Sequence, residues 1–142
     1  MGTNGNDSFD QIGILDTVSS GRGDDTITIS SAFFESIDGG TGTDTLELDI
    51  LNNFTLDLTN RERRLEDVEI IDMQTGTGTT YTINLNLERI MEMSDRSSAL
   101  TIDGDASDSI NISGSSGDYT TNVEGGYTRY SYNVGDLSLI HI

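Results

Sequence analysis

Three short segments rich in glycine and aspartate constrain the fold of this chain more than any other feature. They are Gly2–Asp10, Ser20–Thr28 and Gly39–Glu47. Each approximates the nonapeptide G-G-x-G-x-D-x-U-x, in which U is a large apolar residue. The third copy is complete, and each of the first two lacks one glycine. Neighbouring copies begin two nonapeptides apart to within one residue, so the repeats predict a periodic fold.

The chemistry of the nonapeptide indicates a cation-binding loop. Glycine permits the positive-φ bends of a tight turn and leaves backbone carbonyls free to face an ion. The aspartate supplies a carboxylate, and the apolar residue after it starts a short strand. Ca²⁺ takes six to eight oxygen ligands, which one such loop does not supply. Two loops stacked about 4.8 Å apart do supply them, so the sequence predicts calcium between loops.

The three segments resemble the calcium-binding nonapeptides of the RTX (repeats-in-toxin) family. The resemblance implies an all-β fold: a parallel β-roll, or right-handed β-solenoid, with bound calcium and an irregular β C-terminal cap. Two nonapeptides make one turn of such a roll, so all three loops are expected at one edge. About two Ca²⁺ ions are then expected, one between Asp7 and Asp25 and one between Asp25 and Asp44. The candidate metal ligands of the three loops are Gly2, Asn4, Asn6, Asp7, Ser20, Arg22, Asp24, Asp25, Asp38, Gly39, Thr41, Thr43 and Asp44.

The opposite edge is expected to bind no calcium. Its segments, Gln11–Ser19 and Ile29–Asp38, lack the glycines of the repeat. Phe33 and Phe34 are expected to pack the turn of the second segment.

Residues 1–50 are therefore interpreted as RTX-type roll turns, and residues 51–142 as their continuation and C-terminal cap. Alternation of apolar and polar residues predicts further strands in the second part. They are Phe54–Leu58, Val68–Ile70, Tyr81–Leu87, Leu100–Ile102, Ile110–Ile112, Tyr127–Val134 and Leu137–Ile142. One short helix is predicted within Leu85–Met93. A third calcium site is possible at Asp103, Asp105 and Asp108, although glycines are missing there; a polar turn is the competing interpretation.

The second part also resembles the C-terminal end of giant bacterial adhesins exported by type I secretion systems. The segments that carry this resemblance are Leu65–Met73, the Thr-Gly-Thr-Gly loop that starts at Thr75, Leu100–Ile110 and the closing Tyr-x-x-Tyr-x-Tyr strand. It implies a C-terminal module of a secreted, cell-surface adhesin, with an uncleaved export signal in residues 51–142. The transient partner would be the type I secretion machinery, and the isolated module would be a monomer. Because Met1 leads directly into a repeat, further repeats are expected upstream.

Composition excludes several other classes of protein. Asp and Glu total 25, Lys is absent, and the net charge is −18. Such a chain has no basic surface for nucleic acid and is repelled by anionic lipid. No run of about 18 apolar residues exists for membrane insertion. With no Cys, one His and no nucleophile–base pair, the sequence predicts a non-enzyme.

Two alternatives to the adhesin module stay open. One is an ice-binding or other ligand-binding face of a giant adhesin, since Thr3, Thr41 and Thr43 hint at a threonine row. Arg22 interrupts that row, and three turns make a small face. The other is the RTX repeat domain of a secreted enzyme whose catalytic part lies elsewhere.

Overall fold

The computed structural model describes residues 1–60, 64–74, 78–93, 99–114, 119–125, 127–132 and 138–141. Over these residues the protein is all-β, with a single short helix. The strands of the first half are β1 (Ser8–Ile12), β2 (Thr17–Ser19), β3 (Thr26–Ile29), β4 (Ser36–Asp38), β5 (Thr45–Leu48), β6 (Phe54–Asp57), β7 (Arg64–Glu66) and β8 (Ile70–Asp72). The later elements are β9 (Tyr81–Asn86), α1 (Leu87–Met93), β10 (Ala99–Asp103), β11 (Ser109–Ser113), β12 (Tyr119–Glu124), β13 (Tyr127–Tyr132) and β14 (Ser138–His141).

Alternating side chains explain why these short segments form strands. β3 reads Thr-Ile-Thr-Ile, and its two isoleucines are completely buried while its threonines are half-buried. β9 repeats the pattern over six residues, with Tyr81, Ile83 and Leu85 facing inward. Successive side chains of a strand point to opposite faces, so each strand places one apolar row in the core. β-branched residues fit this pleated, half-buried surface well.

The strands form three sheets in which most neighbours are parallel. The largest sheet has the order β1-β3-β5-β8-β10-β14-β13-β12, and its pairings are parallel as far as β14. A second sheet is β2-β4-β7, and a third is β6-β9-β11; both are parallel throughout. The chain therefore leaves the largest sheet, adds a strand elsewhere and returns. We call each such circuit a rung.

The rungs lengthen along the chain. Hydrogen bonds from a backbone N–H to a side-chain carboxylate link equivalent corners, joining residues 18 apart at the first return, 19 at the second and 25 at the third. The third rung is longer because β6 is inserted between β5 and β7. In the fourth rung α1 contacts β7, and the Val68 N–H donates to the Met93 carbonyl. The helix thus stands where the first rungs have a strand of the second sheet.

One apolar core runs through the rungs from Val18 to Ile102. It joins residues on both sides of position 50. Phe34 lies in this core as expected, with 2% of its surface exposed. Phe33 does not, because it points outward and is 58% exposed, so the expectation that both phenylalanines pack the turn was wrong for Phe33.

The predicted elements of the second half are largely confirmed, with two differences. The predicted helix is present as α1, and the last two predicted strands appear as β13 and β14, apart from their ends outside the described residues. Of the predicted strand Val68–Ile70, only Ile70 lies in a strand, since β7 ends at Glu66 and β8 starts at Ile70; Val68 and Glu69 lie in the corner between them. Residues of the expected irregular cap form β12, which pairs antiparallel with β13.

Candidate cation-binding edge

The three glycine-rich loops lie against one another at one edge of the rungs. We call residues 2–7, 20–25 and 39–44 together the loop edge. The Arg22 N–H donates to the Thr3 carbonyl at 3.3 Å, and the Gly23 N–H donates to the Thr41 carbonyl at 2.9 Å. The Thr41 N–H in turn donates to the Gly21 carbonyl at 2.9 Å. The predicted stacking of the loops is therefore present in the structure.

Glycine is required where one loop packs on the next. Gly40 and Gly42 have φ values of 84° and 146°, a region that other residues rarely adopt. A Cβ at either position would also overlap a backbone carbonyl of the preceding loop, that of Gly21 or Gly23. The repeat glycines thus serve close stacking as well as tight turning.

Four acidic residues stack in one column through the loop edge. Three of them, Asp25, Asp44 and Glu69, each accept a hydrogen bond from the backbone N–H of the acidic residue one rung earlier. Asp25 Oδ1 accepts from Asp7 at 2.7 Å, and Asp44 Oδ1 accepts from Asp25 at 2.9 Å. Glu69 Oε2 accepts from Asp44 at 2.8 Å. We call Asp7, Asp25, Asp44 and Glu69 the carboxylate column.

Glu69 is the member of the column that the sequence did not predict. Its corner, residues 67–69, has three residues where the previous loop has six, and it contains no glycine. Asp67 turns the chain with φ of 50°. Glutamate has one methylene more than aspartate, which suits a shorter corner. The only local signal was an acidic residue directly before an apolar strand, which is too common to single out.

A second, more exposed row of side chains runs beside the column. Asn6 Oδ1 accepts from the Asp24 N–H at 3.0 Å, and Asp24 Oδ1 accepts from the Thr43 N–H at 2.8 Å. Asn6, Asp24 and Thr43 are all exposed, so this row ties the loops together at the surface.

The column holds two carboxylate oxygens that are buried and lack any hydrogen-bond partner. Asp25 is 1% exposed and Asp44 is fully buried, and Oδ2 of each has no partner. Like charges one strand spacing apart repel by roughly 3 kcal/mol at an effective dielectric constant of about 20. Burial, the neighbouring Glu69 and Asp25 carboxylates, and Asp24 raise the pKa of Asp44 to about 6. The site therefore favours a positive charge or a proton beside Asp44.

The first and second loops depart from the ideal repeat. Asp7 Oδ2 already accepts from the backbone N–H of Thr3 at 2.6 Å and from its hydroxyl at 2.9 Å. Ser20 replaces the first glycine of the second loop, and its hydroxyl donates to the Gly39 carbonyl at 2.6 Å. The hydroxyl is buried, so one carbonyl that was expected to face an ion has a protein donor.

The remaining predicted loop residues surround this column. Asn4 and Arg22 are exposed, and Arg22 lies between Thr3 and Thr41 on neighbouring loops. Asp38 ends β4, and its carbonyl accepts from the Ser20 N–H at 3.0 Å. Gly2 and Gly39 begin the first and third loops. Each lies against a carbonyl oxygen of the following rung.

The turn at Asp103, Asp105 and Asp108 lies away from the loop edge and is tied by hydrogen bonds. Asp108 Oδ1 accepts from the Tyr81 N–H at 2.8 Å, and its Oδ2 accepts from the Asp105 N–H at 2.9 Å. Bonds from the hydroxyl and N–H of Ser107 lower the pKa of Asp105. Asp103 accepts from the Gln74 side-chain amide. These contacts are those of a polar turn.

The loop edge offers hard oxygen donors suited to Ca²⁺: carboxylates, backbone carbonyls and the hydroxyls of Thr and Ser. Within the described ranges, however, no three Asp, Glu, His or Cys side chains converge on one point. A cation there would rely on backbone carbonyls and water as well as on the carboxylates. Among the described residues, α1 has only seven residues, far fewer than a membrane-spanning helix needs.

Comparison with protein-family models, with curated proteins and with solved structures finds no match for this chain. The RTX and adhesin resemblances therefore depend on the repeats and segments quoted above.

Proposed function

We propose that this chain is a calcium-dependent β-solenoid module of the RTX type. The observation that carries the proposal is the carboxylate column, in which Asp25 and Asp44 each bury an oxygen without a partner. Buried charges are costly unless they are paired or bind a metal. Ca²⁺ between the stacked loops would neutralise them with ligands of the kind it prefers. The predicted ions lie between Asp7 and Asp25 and between Asp25 and Asp44.

Calcium binding then becomes folding free energy. Without the ion, a chain of charge −18 with stacked carboxylates repels itself and stays loose. With the ion, the column is neutralised and the loops close on one another. A site rarely exists in the unfolded chain, so the free energy of binding stabilises the fold directly. Extracellular modules bind Ca²⁺ at about 10⁻⁴–10⁻³ M, so folding would await a calcium-rich compartment.

The resemblance to adhesins supports a proposal about the larger protein to which this module belongs. The module acts at the C-terminal end of a type I-secreted surface adhesin, crosses the envelope unfolded and folds outside. A passenger fused to residues 48–142 tests this assignment. Export of that fusion by a type I system is expected, and its retention in the cell would contradict the signal assignment.

The threonine row of the ligand-binding alternative is interrupted at the loop edge. Arg22 stands between Thr3 and Thr41, and all three residues are exposed. A charged, long side chain in the middle of three short loops leaves little flat surface for recognition. We therefore keep calcium-dependent folding as the single proposed function, and the possible ion at Asp103, Asp105 and Asp108 stays a prediction.

Far-ultraviolet circular dichroism with EGTA, followed by a calcium titration, tests the proposal. A transition from coil to β-structure at submillimolar to millimolar calcium is expected. Asp25→Asn should shift its midpoint upward at least tenfold, because Asp25 contributes to both predicted ions. Asp10→Asn is the matched control, since Asp10 is an exposed carboxylate on β1. A wild-type chain that is fully folded in EGTA and unchanged by calcium would refute the proposed function.

A further inference from the structure

We call the space between two neighbouring loops or corners of the column an interval. The last interval lies between the third loop and the corner at residues 67–69, and its geometry repeats that of the first, between the first and second loops. A Cβ placed on Gly2 would overlap the Ser20 carbonyl oxygen and lie 2.8 Å from Asp7 Oδ2. A Cβ placed on Gly39 would overlap the Asp67 carbonyl oxygen and lie 2.9 Å from Asp44 Oδ2. In both intervals a carbonyl oxygen and a carboxylate oxygen lie next to the place where the glycine lacks a Cβ.

Besides the carbonyl and the first carboxylate, both intervals contain the next carboxylate of the column in an equivalent position. In the first interval the next carboxylate of the column, Asp25, accepts the Asp7 N–H. In the last interval Glu69 accepts the Asp44 N–H in the same way. The middle interval differs, because Ser20 places its hydroxyl on the Gly39 carbonyl. The corner without a glycine repeat is thus closer in geometry to the first interval than the middle interval is.

We propose that Asp44, Glu69 and the Asp67 carbonyl hold a further divalent cation, at the point where the glycine repeats have already ended. Asp44 Oδ2 is fully buried, has no partner, and lies beside the Asp67 carbonyl oxygen at Gly39. Glu69 is 8% exposed and brings a second carboxylate to the same interval. Oxygens of these two kinds are the ligands of Ca²⁺, whose flexible shell is completed by water.

This proposal rests on the proposed function and adds a position that the nonapeptide pattern does not contain. It assigns Glu69 a role as a metal ligand, besides its role as a hydrogen-bond acceptor. It also places an ion against the buried end of the loop edge, where Val68 enters the core. The cation would therefore link the three loops to the fourth rung.

Calcium stoichiometry of the full chain tests the position. Chelator-treated wild-type protein and Glu69→Gln are titrated with CaCl₂ by calorimetry, and bound ions are counted by native mass spectrometry. Glu69→Gln should bind one ion fewer than the wild type while reaching the same circular dichroism at saturating calcium. Glu35→Gln, which changes an exposed glutamate away from the loop edge, should match the wild type.

Glu69→Asp provides a second test of the position if the Glu69→Gln variant does not fold. It retains the charge but withdraws the carboxylate by one methylene, so one binding event should weaken at least tenfold while the others are unchanged. Equal counts and affinities in wild type and both variants would overturn the further cation and leave the proposed function standing. A wild-type chain that binds no calcium would overturn both.

Discussion

At the scale of single residues, the loop edge depends on glycines whose missing Cβ leaves room for the neighbouring rung. Gly39 is buried against the Asp67 carbonyl, whereas Gly5 has no neighbouring atom within 4 Å of the place a Cβ would take. Two glycines of the same repeat family therefore have different structural roles. Gly5 shares the fourth repeat position with Gly42, whose Cβ would overlap the Gly23 carbonyl, so the nonapeptide pattern does not predict which glycine is closely packed.

Substitution of these two glycines by alanine should separate the roles. Gly39→Ala forces a methyl group onto backbone, and we expect it to lower the free energy of unfolding by about 2–4 kcal/mol. Gly5→Ala should change it by less than about 1 kcal/mol, since the only effect is on the unfolded chain. Urea unfolding at saturating calcium measures both. Equal losses would show that Gly39 is not closely packed.

At the scale of elements, α1 stands at a change in the fold. Asn86 ends β9, and its Oδ1 accepts the Arg89 N–H at 2.9 Å, as an N-cap residue does. Its Nδ2 donates to the Thr59 carbonyl at 3.0 Å. Arg89, which is 4% exposed, donates to the Leu58 carbonyl and pairs with Glu92. The Asn86 side chain thus caps the start of the helix and also binds it to the preceding rung.

Loss of this cap should be measurable. Asn86→Ala removes the acceptor and the amide donor, and we expect it to lower the free energy of unfolding by about 1–2 kcal/mol. Asn86→Asp keeps the acceptor and places a negative charge at the helix N-terminus, so it should recover part of the loss. Thermal unfolding at fixed calcium compares the three proteins. An alanine variant as stable as the wild type would mean that the cap is not needed.

At the scale of the whole molecule, we expect net charge to control the stability of the fold. The chain has a net charge of −18. Its apolar core lies directly beside the column of buried carboxylates. A cation or a proton is needed to relieve that arrangement. Calcium-free protein should therefore respond to pH in the opposite sense to a protein with paired carboxylates.

The raised pKa of Asp44 sets the direction of this response. The pKa of the Asp44 carboxyl has its ordinary value of 3.8 in the unfolded chain and is about 6 in the folded one. The folded state thus binds more protons, so its stability falls as pH rises from about 4 to 6. The loss attributable to Asp44 is about 3 kcal/mol above pH 6.

The amount of β-structure that the chain forms in EGTA, followed by circular dichroism between pH 5 and 7.5, measures this dependence as a shift in the balance between coil and fold. The wild type should be more stable at pH 5, and Asp44→Asn should show a flatter profile. Saturating calcium should reduce the difference, since the ion replaces the proton. A wild-type chain whose stability increases steadily with pH would contradict the assignment of Asp44.

Most loops and strands could be predicted from the sequence, because both depend on local chemistry. Glycine spacing sets the turns of Gly2–Asp7 and its two repeats, and alternation of apolar residues sets which face of each strand is buried. Asp25 and Asp44 could be named for the same reason, since each occupies a fixed place in a repeat. The all-β class and the short helix followed from these patterns.

Packing across the rungs adds Glu69 to the column, whereas the repeat spacing had already predicted Asp7, Asp25 and Asp44. Glu69 reaches it because β7 pairs with β4 and β8 pairs with β5, which brings a corner 25 residues away onto Asp44. The repeat spacing ends with the third loop, so no local pattern predicts which later corner meets Asp44. The same packing buries two carboxylate oxygens, those of Asp25 and Asp44, without hydrogen-bond partners, an arrangement that favours a nearby cation or a proton.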